Sequence, residues 1–162
     1  MWRDPDGGHT YIIFADCSLG DKGSDFSAAT VMDRATGEIV AVFRSRIDPK
    51  QYAYALADIA NWYNGALVGI EANPGGGGAS VIDQLNEIGG VKMLRRPDAP
   101  GIKKHGDGPR GFSYNPNAEK FGIWTSEEMK HEMISMLRAA LEVRPDGKAD
   151  VILHDAITLA GT

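Results

Sequence analysis

Two short apolar runs in this sequence each end in an acid. Tyr11-Ile12-Ile13-Phe14-Ala15 leads into Asp16, and Ala66-Leu67-Val68-Gly69-Ile70 leads into Glu71. Continuous apolar runs of this length read as buried strands. A carboxylate closing a buried strand is costly to desolvate unless a cation balances it. If the two strands are neighbours, both acids meet at one edge of the sheet, where a divalent metal is the natural partner. Hard oxygen donors favour Mg²⁺ or Mn²⁺. Two such ions about 3.5–4 Å apart can activate a water on one side of a phosphodiester and stabilise the leaving oxygen on the other. Asp155, which opens the last apolar segment, offers a third carboxylate at a helix N-terminus, where an acid is tolerated.

Each acid also has a purely structural reading. Asp16 can cap the turn after it, Asp155 can cap its helix, and Asp25 suits a turn before the next strand as well as a ligand position. Glu71 is harder to dismiss in this way, because glutamate is a poor turn former. The run Gly75-Gly76-Gly77-Gly78 lacks the Lys-Ser/Thr of a P-loop and forms no dinucleotide fingerprint. It suits backbone passing close to metal or nucleic acid beside Glu71, or simple flexibility. His105 and His131 have no ligand spacing to a cysteine or another histidine, which argues against zinc. No Gly-x-Ser-x-Gly elbow is present, which argues against a serine hydrolase.

The elements that must position these acids can be read from period and punctuation. Residues 1–9 are polar and turn-rich, and read as a flexible linker remnant. Three strands follow, at about residues 10–16, 26–33 and 38–46, as an antiparallel meander. Asp48-Pro49 opens a helix as cap and first helical residue, with Tyr52, Leu56, Ile59, Ala60 and Tyr63 on its apolar face, and Asn64-Gly65 ends it. The Glu71 strand comes next, then a helix with Val81, Ile82, Leu85 and Ile88 on one face, closed by Gly89-Gly90. Val91 to Leu94 reads as a short strand. A long loop rich in proline and glycine occupies 95–118, and loops of this length are usually functional or mobile. Thr125 then caps a third helix, with Glu128 at capping-box spacing and Met129, Met133, Met136, Leu137, Ala140 and Leu141 as a core-facing stripe. The order β-β-β-α-β-α-β-α followed by an acid on a terminal helix predicts an α/β domain of the ribonuclease H-like fold, a mixed sheet flanked by helices. In that fold the first strand lies beside the fourth, so Asp16 and Glu71 face one another.

Composition bounds the rest. A length of 162 residues suits one domain with a full core. No apolar run approaches the roughly 20 residues of a membrane span, so no membrane partner is expected. The single cysteine, Cys17, excludes an internal disulfide and suits a reducing setting. It adjoins Asp16, but base rates of cysteine burial favour a small core residue over a nucleophile. The net charge of −5 excludes a surface that binds nucleic acid everywhere, yet Lys92 to Arg110 carries +4. Within it Arg95, Arg96, Lys103, Lys104 and Arg110 are candidate contacts to a phosphate backbone, or the solvated charges of a soluble loop.

With these residues in place, the sequence resembles the nuclease domain of the large terminase subunit of tailed double-stranded DNA phages. The resemblance runs through Gly8-His9-Thr10-Tyr11, Asp16-Cys17-Ser18-Leu19-Gly20, Gly23-Ser24-Asp25-Phe26-Ser27, the strand-turn-strand from Val31 to Val40, and Tyr63-Asn64-Gly65-Ala66-Leu67. It continues through Glu71-Ala72-Asn73, Gly122-Ile123-Trp124-Thr125 with Lys130, and His154-Asp155-Ala156. It covers nearly the whole chain, with residues 10–162 as the nuclease domain. It implies a metal-dependent endonuclease that cuts concatemeric double-stranded DNA during genome packaging by a two-metal mechanism. Asp16, Glu71 and Asp155 match the family's metal-binding acids. Lys130 matches a lysine near the DNA or the edge of the active site, and Asn73 and Asp25 are supporting candidates. Cys17-Ser18 stands where relatives usually have Pro-Ala, and His154 where many carry a second aspartate, a position from which a histidine could bind metal or hold the scissile phosphate. The implied partners are an ATPase motor, which the chain lacks any Walker motif to supply, a small terminase subunit and a portal protein. The implied setting is the cytoplasm of an infected bacterium, and the isolated domain is expected to be monomeric. Two alternatives stay open: another nuclease of this fold, such as a Holliday-junction resolvase, and an inactive docking module.

Overall fold

The computed structural model describes residues 1–21, 23, 25–73, 75–96, 120–123, 125 and 127–154. The chain order is β1 (Tyr11–Asp16), β2 (Ser27–Asp33), β3 (Ile39–Ser45), α1 (Pro49–Trp62), β4 (Leu67–Ile70), α2 (Gly78–Ile88), β5 (Arg95–Arg96), β6 (Lys120–Phe121) and α3 (Glu127–Leu141). β1 to β4 form one sheet in the order β3-β2-β1-β4, antiparallel except for the parallel pair β1–β4. The mixed α/β architecture and the meander are as the sequence predicts.

Alternation sets the two faces of the sheet. Tyr11, Ile13 and Ala15 of β1 are buried, as are Ser27, Ala29, Val31 and Asp33 of β2. α1 packs its Tyr52, Ala53, Leu56, Ala57 and Ala60 into the same core, together with Val81 and Leu85 of α2. The start of α1 is fixed locally: the Asp48 side chain accepts from the backbone N–H groups of Lys50 and Gln51, and Pro49 occupies the first turn. Such a cap contributes about 1 kcal/mol. Asn64 and Gly65, both at positive φ, turn the chain from α1 into β4.

Several expectations differ from what is observed. The segment expected as a strand at 91–94 touches β4 only through the bridge Val68–Met93. The regular strand lies just beyond it, where Arg95 and Arg96 pair with Phe121 and Lys120. The free edge of β4 is therefore shared, first by Met93 and then by Ile123, which bridges Glu71. The apolar stripe of α3, expected in the core, has no buried residue; Met133, Met136 and Leu137 are exposed. Helical spacing made the stripe, but among the described residues no element covers it. Residues 1–9, expected as a loose end, are hydrogen-bonded to the body. The Trp2 N–H donates to the Val40 carbonyl, Asn64 donates to the carbonyls of Asp6 and His9, and His9 Nδ1 lies 2.6 Å from the buried Asp33 carboxylate. Composition alone does not reveal these contacts, because each partner lies far away in sequence. No helix among the described residues is long and apolar enough to cross a membrane.

Candidate functional site

The parallel register of β1 and β4 decides how the two leading acids meet. Ala15 pairs with Ile70, and the Glu71 N–H donates to the Ala15 carbonyl at 3.0 Å. Asp16 and Glu71 are thus the next residues of two adjacent strands, at the same end and on the face away from α1. Asp16 is open to solvent and Glu71 half-buried. Even so, the protein around Asp16 strips enough water from its carboxyl to push it above the usual carboxylate range. The charges of Glu71 and Asp25 add to that, and the Cys17 backbone N–H opposes it. An acid held in this way is short of positive charge, which is the environment a divalent cation would relieve.

Glu71 is aimed by a bracket. Its Oε1 accepts from Asn73 Nδ2 at 3.0 Å and from the Thr125 hydroxyl. Asn73 and Thr125 are tied to each other as well: Asn73 Oδ1 accepts the Thr125 N–H at 2.9 Å, and Asn73 Nδ2 reaches the Thr125 carbonyl and hydroxyl oxygens. Oε2 takes no part in this bracket. Sequence reasoning assigned Thr125 only to capping α3, and missed that its hydroxyl is committed to Glu71. The one local signal is the spacing of Glu71 and Asn73, two residues apart and so on one side of an extended chain.

The glycine run has a structural cause. A Cβ on Gly78 would stand 1.9 Å from the Glu71 carbonyl oxygen, and one on Gly77 2.5 Å from that of Ser18. The N-terminus of α2 is pressed against the two backbone segments that carry Asp16 and Glu71. Cys17 is buried, and desolvation together with Asp16 and Glu71 pushes its thiol up to about 12. It is a core residue and not a nucleophile.

The remaining candidates are dispersed. Asp25 is close enough for its charge to act on Asp16. Lys130 lies exposed on α3 and pairs with Glu127 at 3.1 Å. Arg95 stacks its guanidinium over the Phe121 ring, 4.7 Å from the centroid, and Arg96 is its neighbour in β5. His154 is not brought to the acids. It pairs with Glu38 Oε1 at 2.8 Å, before the start of β3, where Ile152 bridges Glu38. β3 starts beside the end of β2, which pairs with the start of β1. His154 is therefore at the opposite end of the sheet from Asp16, about 17 Å along five residues of strand. Edge pairing of residue 152 decides this, and nothing local in the sequence announces it. Lys103, Lys104, Arg110 and Asp155 lie outside the described residues.

Among the described residues no three His, Cys, Asp or Glu side chains form a metal-holding group. Asp16 and Glu71 supply two hard oxygen donors in register, a set that fits a divalent cation and not a soft metal.

This arrangement of strands and helices matches solved structures. The cobalt-bound large terminase nuclease of thermophilic phage G20c superposes with a TM-score of 0.55 at 21% identity, over 83% of this chain and 55% of that one. The magnesium-bound form of the same nuclease gives 0.54 with the same identity and coverage. The fold is that of a large terminase nuclease domain. The nuclease domain of Thermus phage P74-26 agrees, with a TM-score of 0.52 at 21% identity, over 83% of this chain and 53% of that chain. The chain thus spans about half the length of the terminase nuclease structures it matches. No protein-family model matches the sequence, nor does any curated protein.

Proposed function

We propose that this chain is the nuclease domain of a phage large terminase subunit, a metal-dependent endonuclease of ribonuclease H-like architecture acting on double-stranded DNA. The observation that carries the reading is the pair Asp16 and Glu71, in register at the ends of two parallel strands, with Glu71 aimed by Asn73 and Thr125. The large terminase nuclease of phage G20c, which has the same fold and was solved with magnesium, cobalt or zinc bound, supports a divalent ion at such a site.

In this reading Asp16 and Glu71 hold the metal. Asp155 is the third carboxylate by resemblance alone, while His154, next to it in the chain, is engaged with Glu38. Two bound Mg²⁺ or Mn²⁺ ions would supply an activated water and neutralise charge on the phosphodiester. Asn73 and Thr125 fix the orientation of Glu71, so that little reorganisation is needed when substrate arrives. Arg95 and Arg96, with Lys103, Lys104 and Arg110, are proposed contacts to the DNA backbone, and Lys130 a further one at the edge of the site. The substrate is concatemeric DNA during packaging in the host cytoplasm, with the ATPase motor, small subunit and portal as partners.

Nicking of supercoiled plasmid in Mn²⁺ tests this directly. The wild-type chain should cut, chelation should stop it, and Asp16→Ala and Glu71→Gln should each abolish it. Full activity in Asp16→Ala would sink the mechanism. A strong preference for four-way junctions over linear duplex would point to a resolvase.

A further inference from the structure

The acids belong to a longer row across the sheet. Asp16 pairs with Ala28 of β2, and Ala28 pairs with Arg44 of β3. Directly opposed residues point to the same face, so Glu71, Asp16, Ala28 and Arg44 line up on the face away from α1. With strands about 4.8 Å apart, Arg44 starts about 10 Å from Asp16. Ala28, whose side chain is a methyl group, is the residue between them in this row. Arg46, two residues further along the chain, points the same way.

Both guanidinium groups are held by one ring. The Arg44 and Arg46 guanidinium carbons lie over Phe26, at 4.0 and 4.2 Å from its centroid. They are therefore at most about 8 Å apart, a distance at which like charges repel unless an anion sits nearby. Both arginines are exposed, and neither makes a salt bridge among the described residues. By contrast Arg3 and Arg144 both pair with carboxylates. Stacking on an aromatic face removes rotamer freedom in advance while leaving the N–H fork free for a planar or tetrahedral oxyanion.

We propose that Arg44 and Arg46, stacked on Phe26 in the cross-strand row of Asp16, bind a backbone phosphate of the DNA strand being cut, adjacent to the scissile one. This rests on the nuclease reading above and adds a strand path to it. The strand would run across the ends of β4, β1, β2 and β3, from the carboxylates to the arginines. Both arginines come from β3 and the residue after it, not from the basic stretch of sequence that follows β5, and a phosphate there would fix the register of the substrate on Asp16 and Glu71.

The test is binding of a fluorescent duplex by anisotropy across a salt series in Ca²⁺, beside plasmid cleavage in Mn²⁺ and calorimetric titration of Mn²⁺. Losing a charged contact from each arginine predicts roughly tenfold weaker binding per residue. The Arg44→Ala/Arg46→Ala double variant should also lose about 0.9 from the slope of log K against log salt, which corresponds to one phosphate charge. Its Mn²⁺ affinity should be unchanged. Phe26→Leu keeps both charges and should weaken binding less, with an unchanged salt slope. An unaltered thermal melt shows that the double variant is folded, and Arg44→Lys/Arg46→Lys should keep the salt slope while losing part of the affinity. Wild-type binding and salt slope in the folded double variant would overturn this proposal and leave the nuclease reading intact. A wild-type chain that neither binds nor cuts duplex would remove both.

Discussion

Asn73→Ala is the perturbation that separates an oriented site from two acids that happen to be neighbours. The amide group has two hydrogens, so its three close donor contacts amount to two hydrogen bonds. The Thr125 N–H accepted by Oδ1 makes a third. One of them reaches the Glu71 carboxylate, and all are half-buried. At about 1 kcal/mol net for each, the loss comes to roughly 2–3 kcal/mol. For a domain of this size each kcal/mol shifts Tm by about 2–4 °C, so a fall of about 5–10 °C is expected in thermal unfolding followed by circular dichroism. Glu71 also loses one of the two donors on Oε1, while the Thr125 hydroxyl remains. Loss of such an outer partner typically costs about 10–100-fold in metal affinity, which calorimetric titration of Mn²⁺ would register. A variant with the wild-type Tm and wild-type Mn²⁺ affinity would refute the claim that Asn73 holds Glu71 in place.

Two further outcomes follow from the environment of Asp16. Its carboxyl titrates above its unfolded value, so ionisation disfavours the folded state, fully above the folded pKa and not at all below the unfolded one. Asp16→Asn should therefore raise the metal-free Tm at neutral pH, with the gain shrinking to nothing as the pH falls below about 4; a gain that grows on acidification would contradict the sign. Cys17, with its thiol pushed up to about 12, should resist a thiol-specific reagent at pH 8 in the folded chain and react once it is unfolded; rapid labelling of the folded protein would count against its burial.

What the sequence made legible was mostly local or set by strand order. Asp48-Pro49 announced the start of α1, Asn64-Gly65 its end, and the two apolar runs their strands. The meander followed by a helix led to the β1–β4 pairing, and with it to the meeting of Asp16 and Glu71. The parts that escaped depend on contacts distant in the chain. Thr125 reaches Glu71 from 54 residues away, and no spacing rule connects them. His154 is drawn to Glu38 across 116 residues by pairing at a sheet edge. The α3 stripe has the period of a buried face, but period states only that the apolar side chains share a face and leaves open whether anything covers it. The glycine run looked like a loop for a ligand; its tight contacts are with the chain's own carbonyls, which become neighbours only after folding.

A crystal structure of the chain grown with Mn²⁺, with the ion located by its anomalous signal, tests the central claim most directly. The account predicts a peak within coordination distance of Asp16 and of Glu71 Oε2, with Asn73 and Thr125 still on Oε1. A fully occupied ion bound elsewhere, with Asp16 and Glu71 free of it, would contradict it.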